Sequence, residues 1–189
     1  GLYIVSSEAG GKAAGCIVNT LGQVTVSPVQ VAVTINKENQ TTRTILESGK
    51  FSATVLAESA SMELIGRFGF QCSRDVDKFA DYGSAKRSAN GLYYITEGTN
   101  AYLSAKVVDT MDLGTHTLFL ADVTDGEVLD SAASATYAYY HSNIKPAPAK
   151  EEKKGWRCKI CGYIYEGDVL PEDFICPVCK HGAADFEKI

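Results

Sequence analysis

The sequence predicts a mainly-β barrel followed by a short metal-held ribbon, and three observations predict it. Runs of alternating apolar and polar residues recur from residue 24 to residue 123, with room for only two helices among them. A stretch rich in proline, alanine and mixed charge, 144–155, separates about 143 residues from about 34. Four of the six cysteines fall between Cys158 and Cys179, in two Cys-x-x-Cys pairs.

The chain enters at Gly1 straight into an apolar run, Leu2-Tyr3-Ile4-Val5, as expected of a chain whose first native residues are missing. Segments 24–26 and 29–35 alternate apolar with polar or small residues around Pro28, which predicts two strands split by a turn. A helix over 41–48, stopped by Gly49, leads to a strand over 51–57. A second helix is expected over 61–68, with Ser59 or Ser61 as its cap. A short strand over 92–95 precedes two longer ones, 102–111 and 115–123, joined by the turn signal Asp112-Leu113-Gly114. Many strands, few helices and a length near 140 residues predict a closed barrel and exclude a doubly wound sheet.

The stretch 144–155 cannot bury enough apolar surface to fold by itself, so it is expected to be a semi-extended linker. At about 3.1 Å per residue it reaches roughly 30–35 Å. The expected organisation is a first domain over 1–143, this linker, and a second domain over 156–189. The second is too short to fold on hydrophobic burial alone and calls for a metal.

A formal charge of −5 argues against a nucleic-acid partner. No apolar run approaches the roughly 18 residues needed to cross a bilayer, and no basic-then-apolar leader opens the chain. A cytoplasmic protein without a membrane partner is expected. Two close cysteine pairs in such a protein point to a metal and not to disulfides.

The pairs are Cys158-Lys159-Ile160-Cys161 and Cys176-Pro177-Val178-Cys179. Each two-residue gap lets one tight turn aim two sulfurs at one point, and two such turns supply four thiolates to zinc or iron. Gly162 suits the first turn, where a left-handed residue carries no Cβ penalty. Trp156, Tyr163, Tyr165, Phe174 and Phe186 are dense enough to build an aromatic core over the site, and an apolar shell tunes a redox metal.

The run Trp156-Arg157-Cys158-Lys159-Ile160-Cys161-Gly162-Tyr163-Ile164-Tyr165, with Cys176-Pro177-Val178-Cys179 and Asp185-Phe186-Glu187, resembles rubredoxin. That resemblance implies one iron on Cys158, Cys161, Cys176 and Cys179, passing single electrons. Only fourteen residues separate the two pairs, so the segment is similar to the shortened rubredoxins fused to other redox domains. Lys180 stands where that family usually has glycine, and a structural zinc ribbon is the alternative.

The first domain lacks G-x-G-x-x-G, a Walker loop, G-x-S-x-G and H-E-x-x-H. It does carry polar stretches around its first long strands, Asn19-Thr20-Leu21-Gly22-Gln23-Val24-Thr25 and Asn36-Lys37-Glu38-Asn39-Gln40-Thr41-Thr42. A flavin needs amides along its ring edge, and hydroxyls, a helix N-terminus and a lysine at its phosphate. Loops of this composition also simply turn the chain. The order Gly-Leu-Tyr-Ile-Val-Ser at the start, Asn19-Thr20 with Gln23-Val24-Thr25 and Pro28, Asn36-Lys37 with Thr41, Asp77-Lys78-Phe79, and Gly114-Thr115-His116-Thr117-Leu118-Phe119 is similar to the flavin reductase-like family. The resemblance implies a split β-barrel, usually a homodimer, with FMN near the subunit interface and NADH or NADPH as donor. It puts Asn19, Thr20, Gln23, Val24 and Thr25 along the flavin ring. It puts Asn36, Lys37, Thr41 and Thr42 toward the ribityl chain and phosphate, Lys78 near the site, and His116 near the nicotinamide or the flavin's reactive edge.

The bland reading of His116 is a satisfied structural histidine between two apolar strand stretches. His141 and His181 are expected on the surface, Cys16 and Cys72 as buried thiols, and Tyr137, Tyr139 and Tyr140 in packing or an interface. Together the two resemblances imply electrons passing from NAD(P)H to FMN, to the rubredoxin iron and to an acceptor redox protein. The fusion is similar to electron carriers of anaerobes that feed flavodiiron proteins, which reduce nitric oxide or oxygen. The rival readings are a free-flavin reductase serving a monooxygenase, with a zinc ribbon, and a non-catalytic flavin- or metal-binding module.

Overall fold

A computed structural model describes residues 1–146 and 155–189. The chain opens with a hairpin that its hydrophobic pattern does not announce. Strands β1 (Tyr3–Ala9) and β2 (Lys12–Val18) pair antiparallel from Tyr3↔Val18 to Ala9↔Lys12. They turn at Gly10 and Gly11, whose φ values of 56° and 74° meet the demand of a two-residue turn for positive φ at both central positions. β1 is buried on both faces, with Ile4 and Val5 in different apolar clusters.

Strands β3 (Gly22–Val26) and β4 (Val29–Asn36) form the pair expected around Pro28, with a bulge between Gln23 and Thr25. Helix α1 (Gln40–Ser48) starts one residue before its expected position, because Asn39 caps it, and ends at Gly49. Strand β5 (Lys50–Leu56) follows. Ser61 caps α2 (Met62–Ile65), its Oγ accepting from the Leu64 amide at 3.1 Å. This helix lasts one turn and then widens into a π-helical turn, Gly66–Phe70, so the expected regular helix over 61–68 is replaced by an irregular one.

Short β6 (Ala85–Arg87) and β7 (Tyr93–Ile95) pair with each other. Strands β8 (Thr99–Asp112) and β9 (His116–Val128) make a long hairpin across the expected turn, each running beyond its expected length. Seven strands form one antiparallel sheet in the order β2-β1-β5-β8-β9-β4-β3. The expected closed barrel is corrected here: β2 and β3 stand at opposite edges and do not pair. Helix α1 packs on β1 and β2 and reaches β4, with Ile45 fully buried. One apolar cluster gathers Val5, Val33, Phe51 and Phe119. The other gathers Ile4, Leu56, Phe68 and Phe79 under α2.

After β9 come the single turn α3 (Tyr137–Tyr139) and a second π-helical turn, Tyr140–Ile144. Residues 147–154, most of the expected linker, lie outside the described residues. Beyond them β10 (Trp156–Cys158), β11 (Ile164–Tyr165) and β12 (Phe186–Lys188) form a small sheet ordered β11-β10-β12. Cys158, Cys176, Cys179 and Phe186 are its buried core, flanked by Trp156, Tyr163, Tyr165 and Phe174 as the aromatic density predicts. No helix among the described residues is long and apolar enough to cross a membrane.

Lys180 sits at φ 63°, the left-handed conformation expected at this glycine position. The Lys180→Gly chain removes that steric cost and restores some unfolded-state freedom, for a net gain of about 0.5–1 kcal/mol in the ribbon. A guanidinium titration followed on the metal–thiolate absorption checks it; an unchanged midpoint would mean that the backbone here is not strained.

Candidate metal centre and cofactor cleft

Two matching turns build the metal centre. In the first, the Gly162 amide donates to the Cys158 carbonyl at 2.9 Å; in the second, the Lys180 amide donates to the Cys176 carbonyl at 3.0 Å. The left-handed φ of Gly162, 81°, repeats at Lys180. The sulfurs of Cys158 and Cys179 lie 3.6 Å apart, as do those of Cys161 and Cys176, and all four fall within 4.8 Å of one another. A tetrahedral ion with metal–sulfur bonds of about 2.3 Å needs sulfur–sulfur edges of about 3.8 Å, so the donor set fits one such ion. Cys161 is half-buried, the other three buried.

Burial pushes the Cys161 thiol up to about 11 and raises Cys179 as well. Burial opposes the Cys176 thiolate too, but the amides of Cys179 and Val178, together with the thiols of Cys179 and Cys161, more than offset it and hold that thiol below its ordinary value. His181, expected on the surface, is half-buried and braces the second turn: its carbonyl accepts the Cys176 amide at 2.8 Å, and its Nδ1 lies 3.1 Å from the Cys179 carbonyl. His141 is exposed as expected; Cys16 is buried and Cys72 only half-buried.

The second site gathers at the N-terminal end of α1. The Lys37 amide donates to the Thr115 carbonyl at 3.0 Å, and Asn36 pairs with His116 across β4 and β9. Thr20 Oγ1 donates to the Thr34 carbonyl at 2.6 Å, which draws the Asn19-Thr20 turn beside the end of β4. Thr42 Oγ1 donates to the Asn36 carbonyl at 2.8 Å. The structure thus brings Asn19, Thr20, Asn36, Lys37, Thr41, Thr42 and His116 into one region. Lys37 Nζ is held by Asp112 at 2.5 Å, and that partner, with the Gly114 amide, holds the Asp112 carboxyl below its ordinary value. His116 is half-buried, with Nδ1 2.8 Å from Thr115 Oγ1.

Thr41 carries the test of fit. Its hydroxyl is fully buried and, apart from the weak neighbouring thiol of Cys16, has no partner among the described residues. No acidic residue occupies the first turn of α1, so the positive end of the helix dipole is uncompensated by the helix itself. A phosphate-bearing cofactor fits such a cradle.

Gln23, Val24 and Thr25 stand apart, exposed on β3. Gln23 pairs with Val31, five residues before Asn36 on β4, or roughly 17 Å along the strand. Lys78 also lies elsewhere than expected. Its ammonium is turned inward at 2% exposure and donates to the carbonyls of Gly15 at 2.7 Å and Phe68 at 3.0 Å. Three residues of chain geometry explain this: Asp77 Oδ1 accepts from the amides of Phe79 and Ala80, and the resulting turn aims Lys78 at β2.

Arg74 was not singled out by the sequence. Its guanidinium reaches over the cleft rim to the Glu38 carbonyl at 3.4 Å. Its signal was a lone cation in the loop just before Asp77-Lys78-Phe79.

Burial above all pulls Lys78 from 10.5 down to about 8, partly opposed by Cys16 and Cys72. A lysine with a depressed folded value binds its proton more weakly when folded, so folding stability rises as pH climbs from 8 toward 10.5. The stability difference between the native chain and Lys78→Met should change by up to about 3 kcal/mol across that window. Urea unfolding at several pH values measures it; a flat difference would show that folded Lys78 titrates like an unfolded lysine, with its charge solvated or fully compensated.

Residues 1–148 match the family model described as flavin reductase like domain, and residues 156–187 match that described as rubrerythrin, rubredoxin-like domain. The chain is 38% identical to high molecular weight rubredoxin of Moorella thermoacetica over 219 aligned residues, covering 100% of this chain and 95% of that one. It is 48% identical to a ferric-chelate reductase (NAD(P)H) of Archaeoglobus fulgidus over 141 residues, 75% of this chain and 83% of the relative. The fold matches that of flavin reductase PheA2 in its native state with a TM-score of 0.60, 25% identity and coverage of 71% and 82% of the two chains. The mainly-β split-barrel expectation agrees with these matches.

Proposed function

Because the chain belongs to the flavin reductase-like family and ends in a rubredoxin-like domain, we propose that it carries electrons from NAD(P)H through FMN to one iron on Cys158, Cys161, Cys176 and Cys179, and on to an acceptor protein. The observation that carries this reading is the preformed set of four sulfurs on the same chain as a flavin reductase-like domain. A hydride brings two electrons and a tetrathiolate iron takes one; bound FMN supplies the exchange between pairs and single electrons. Per NAD(P)H, two ferric-to-ferrous reductions take place and one proton is released.

The chain's own residues hold and orient. Thr41, Thr42, Asn36 and Lys37 take the phosphate and ribityl side, with Arg74 added at the rim. Asn19 and Thr20 border the ring, with Gln23, Val24 and Thr25 beyond them, and His116 orients the nicotinamide. The working division is residues 1–143, a linker over 144–155 and a ribbon over 156–189. The acceptor is a redox protein, with a flavodiiron protein that reduces nitric oxide or oxygen as the specific assignment. A homodimer is supported by exposed apolar side chains on β3, β4 and β8, where Val24, Val26, Val29, Val108 and Met111 await cover.

Anaerobic titration of the purified protein with NADH or NADPH, followed in the visible spectrum, tests the reading. Flavin and ferric–thiolate bands should bleach together, with one nucleotide consumed per two irons once the flavin is reduced. Bleaching of the flavin alone would point to a free-flavin reductase with a structural ribbon. No change with either nucleotide would point to a binding module.

A further inference from the structure

Among the described residues, Phe70 alone packs against both the apolar cluster under α2 and the core of the metal ribbon. It closes the π-helical turn Gly66–Phe70, a distortion frequent at functional positions. That turn is fixed from two sides. The Lys78 ammonium ties the Phe68 carbonyl to that of Gly15 on β2, and Ser73 Oγ accepts from the Gly15 amide at 3.1 Å. The chain then runs through an extended Gln71 to Arg74 at the rim of the cofactor cleft. One anchored segment therefore has the ribbon at Phe70 and the cleft four residues later.

The ribbon presents its least buried ligand to this side. Cys161, with Ile160 and Val178, faces Met62 and Glu63 of the α2 turn across a cavity of about 860 Å³. We infer that Phe70 is a docking residue that seats each metal ribbon on the flavin domain of its own chain, making electron transfer intrachain. The inference rests on the electron route proposed above. Each transfer removes one electron from the reduced flavin and converts the chain's own ferric ion to ferrous; the acceptor protein takes that electron and returns the iron to ferric before the second electron of the same hydride follows. Tethering keeps the two partners at an effective concentration of about millimolar, and Phe70 converts that nearness into a defined seat.

The test uses the full-length chain with Phe70→Glu and Phe70→Leu. In anaerobic stopped-flow, flavin bleaching by NAD(P)H should keep its rate within twofold in both. Iron bleaching should slow at least tenfold in Phe70→Glu and stay near native in Phe70→Leu. The zinc-loaded full-length chain gives a readout free of electron flow: amide exchange of ribbon residues 158–164, which line the facing cavity, should quicken in Phe70→Glu while β5 keeps its protection. Native iron bleaching in Phe70→Glu, or unchanged exchange there, overturns the docking role. Quickened exchange in a protein whose native form never reduces its iron would sink the electron route and leave the seat standing.

Discussion

A Cys176→Ser chain should lose its metal and leave residues 156–189 unfolded, while residues 1–146 keep their fold. Three of the four buried core residues of the ribbon are the thiols Cys158, Cys176 and Cys179, with Phe186 the fourth. The metal is therefore most of the core, in a unit below the roughly 40 residues that fold on burial alone. Apparent binding energies of about 10–16 kcal/mol for tetrahedral thiolate and imidazole sites in small domains far exceed what Phe186 and its aromatic neighbours supply. Amide exchange should show loss of protection in β10 and β12 with β1 and β5 unchanged. NAD(P)H-driven flavin bleaching should persist within about twofold. Protected ribbon amides in a metal-free chain would show that the aromatic shell folds on its own.

Thr41→Val should weaken flavin binding about tenfold, or about 1.4 kcal/mol, without lowering the thermal stability of the apoprotein. The two effects separate because the hydroxyl is buried and has only the Cys16 thiol beside it. Replacing an unsatisfied buried hydroxyl by an isosteric methyl is neutral or stabilising for a fold. The same change removes a donor from a phosphate at the α1 N-terminus. Flavin titration by fluorescence and a melting curve on one preparation decide it. An unchanged affinity would remove Thr41 from the cradle; a parallel loss of stability would assign its hydroxyl to the fold.

What the sequence reveals follows from how each element is buried. β8 and β9 were legible through Asp112-Leu113-Gly114, and the metal ligands through spacing that few other purposes require. β1 was not, because a strand covered on both faces shows no alternation, and its buried Ser6 and Ser7 read as polar surface. Its strongest clue was the Gly10-Gly11 pair. The three-residue β6 is too short for any periodicity. Around the cleft, the residues near α1 were readable as a polar cluster at a helix start. Lys78 was not, since a lysine held by backbone carbonyls looks the same in sequence as one that reaches a ligand. Closure failed for a related reason: pattern reveals how many strands exist, but not the order in which they pair, which leaves β2 and β3 at opposite edges.

The central place of β9, between β8 and β4, governs how the chain folds as it is made. The β3–β4 hairpin appears early, yet Asn36 finds its partner His116 only when β9 emerges, 80 residues later. At about 5–20 residues per second, that hairpin waits roughly 4–16 s without the Phe119 and Ala121 of β9 that share a core with Val31, Val33 and Ile35. Ribosome-bound chains ending before His116 are therefore the stage at which chaperones have most to protect, and a premature stop there yields an aggregating fragment instead of a smaller working domain.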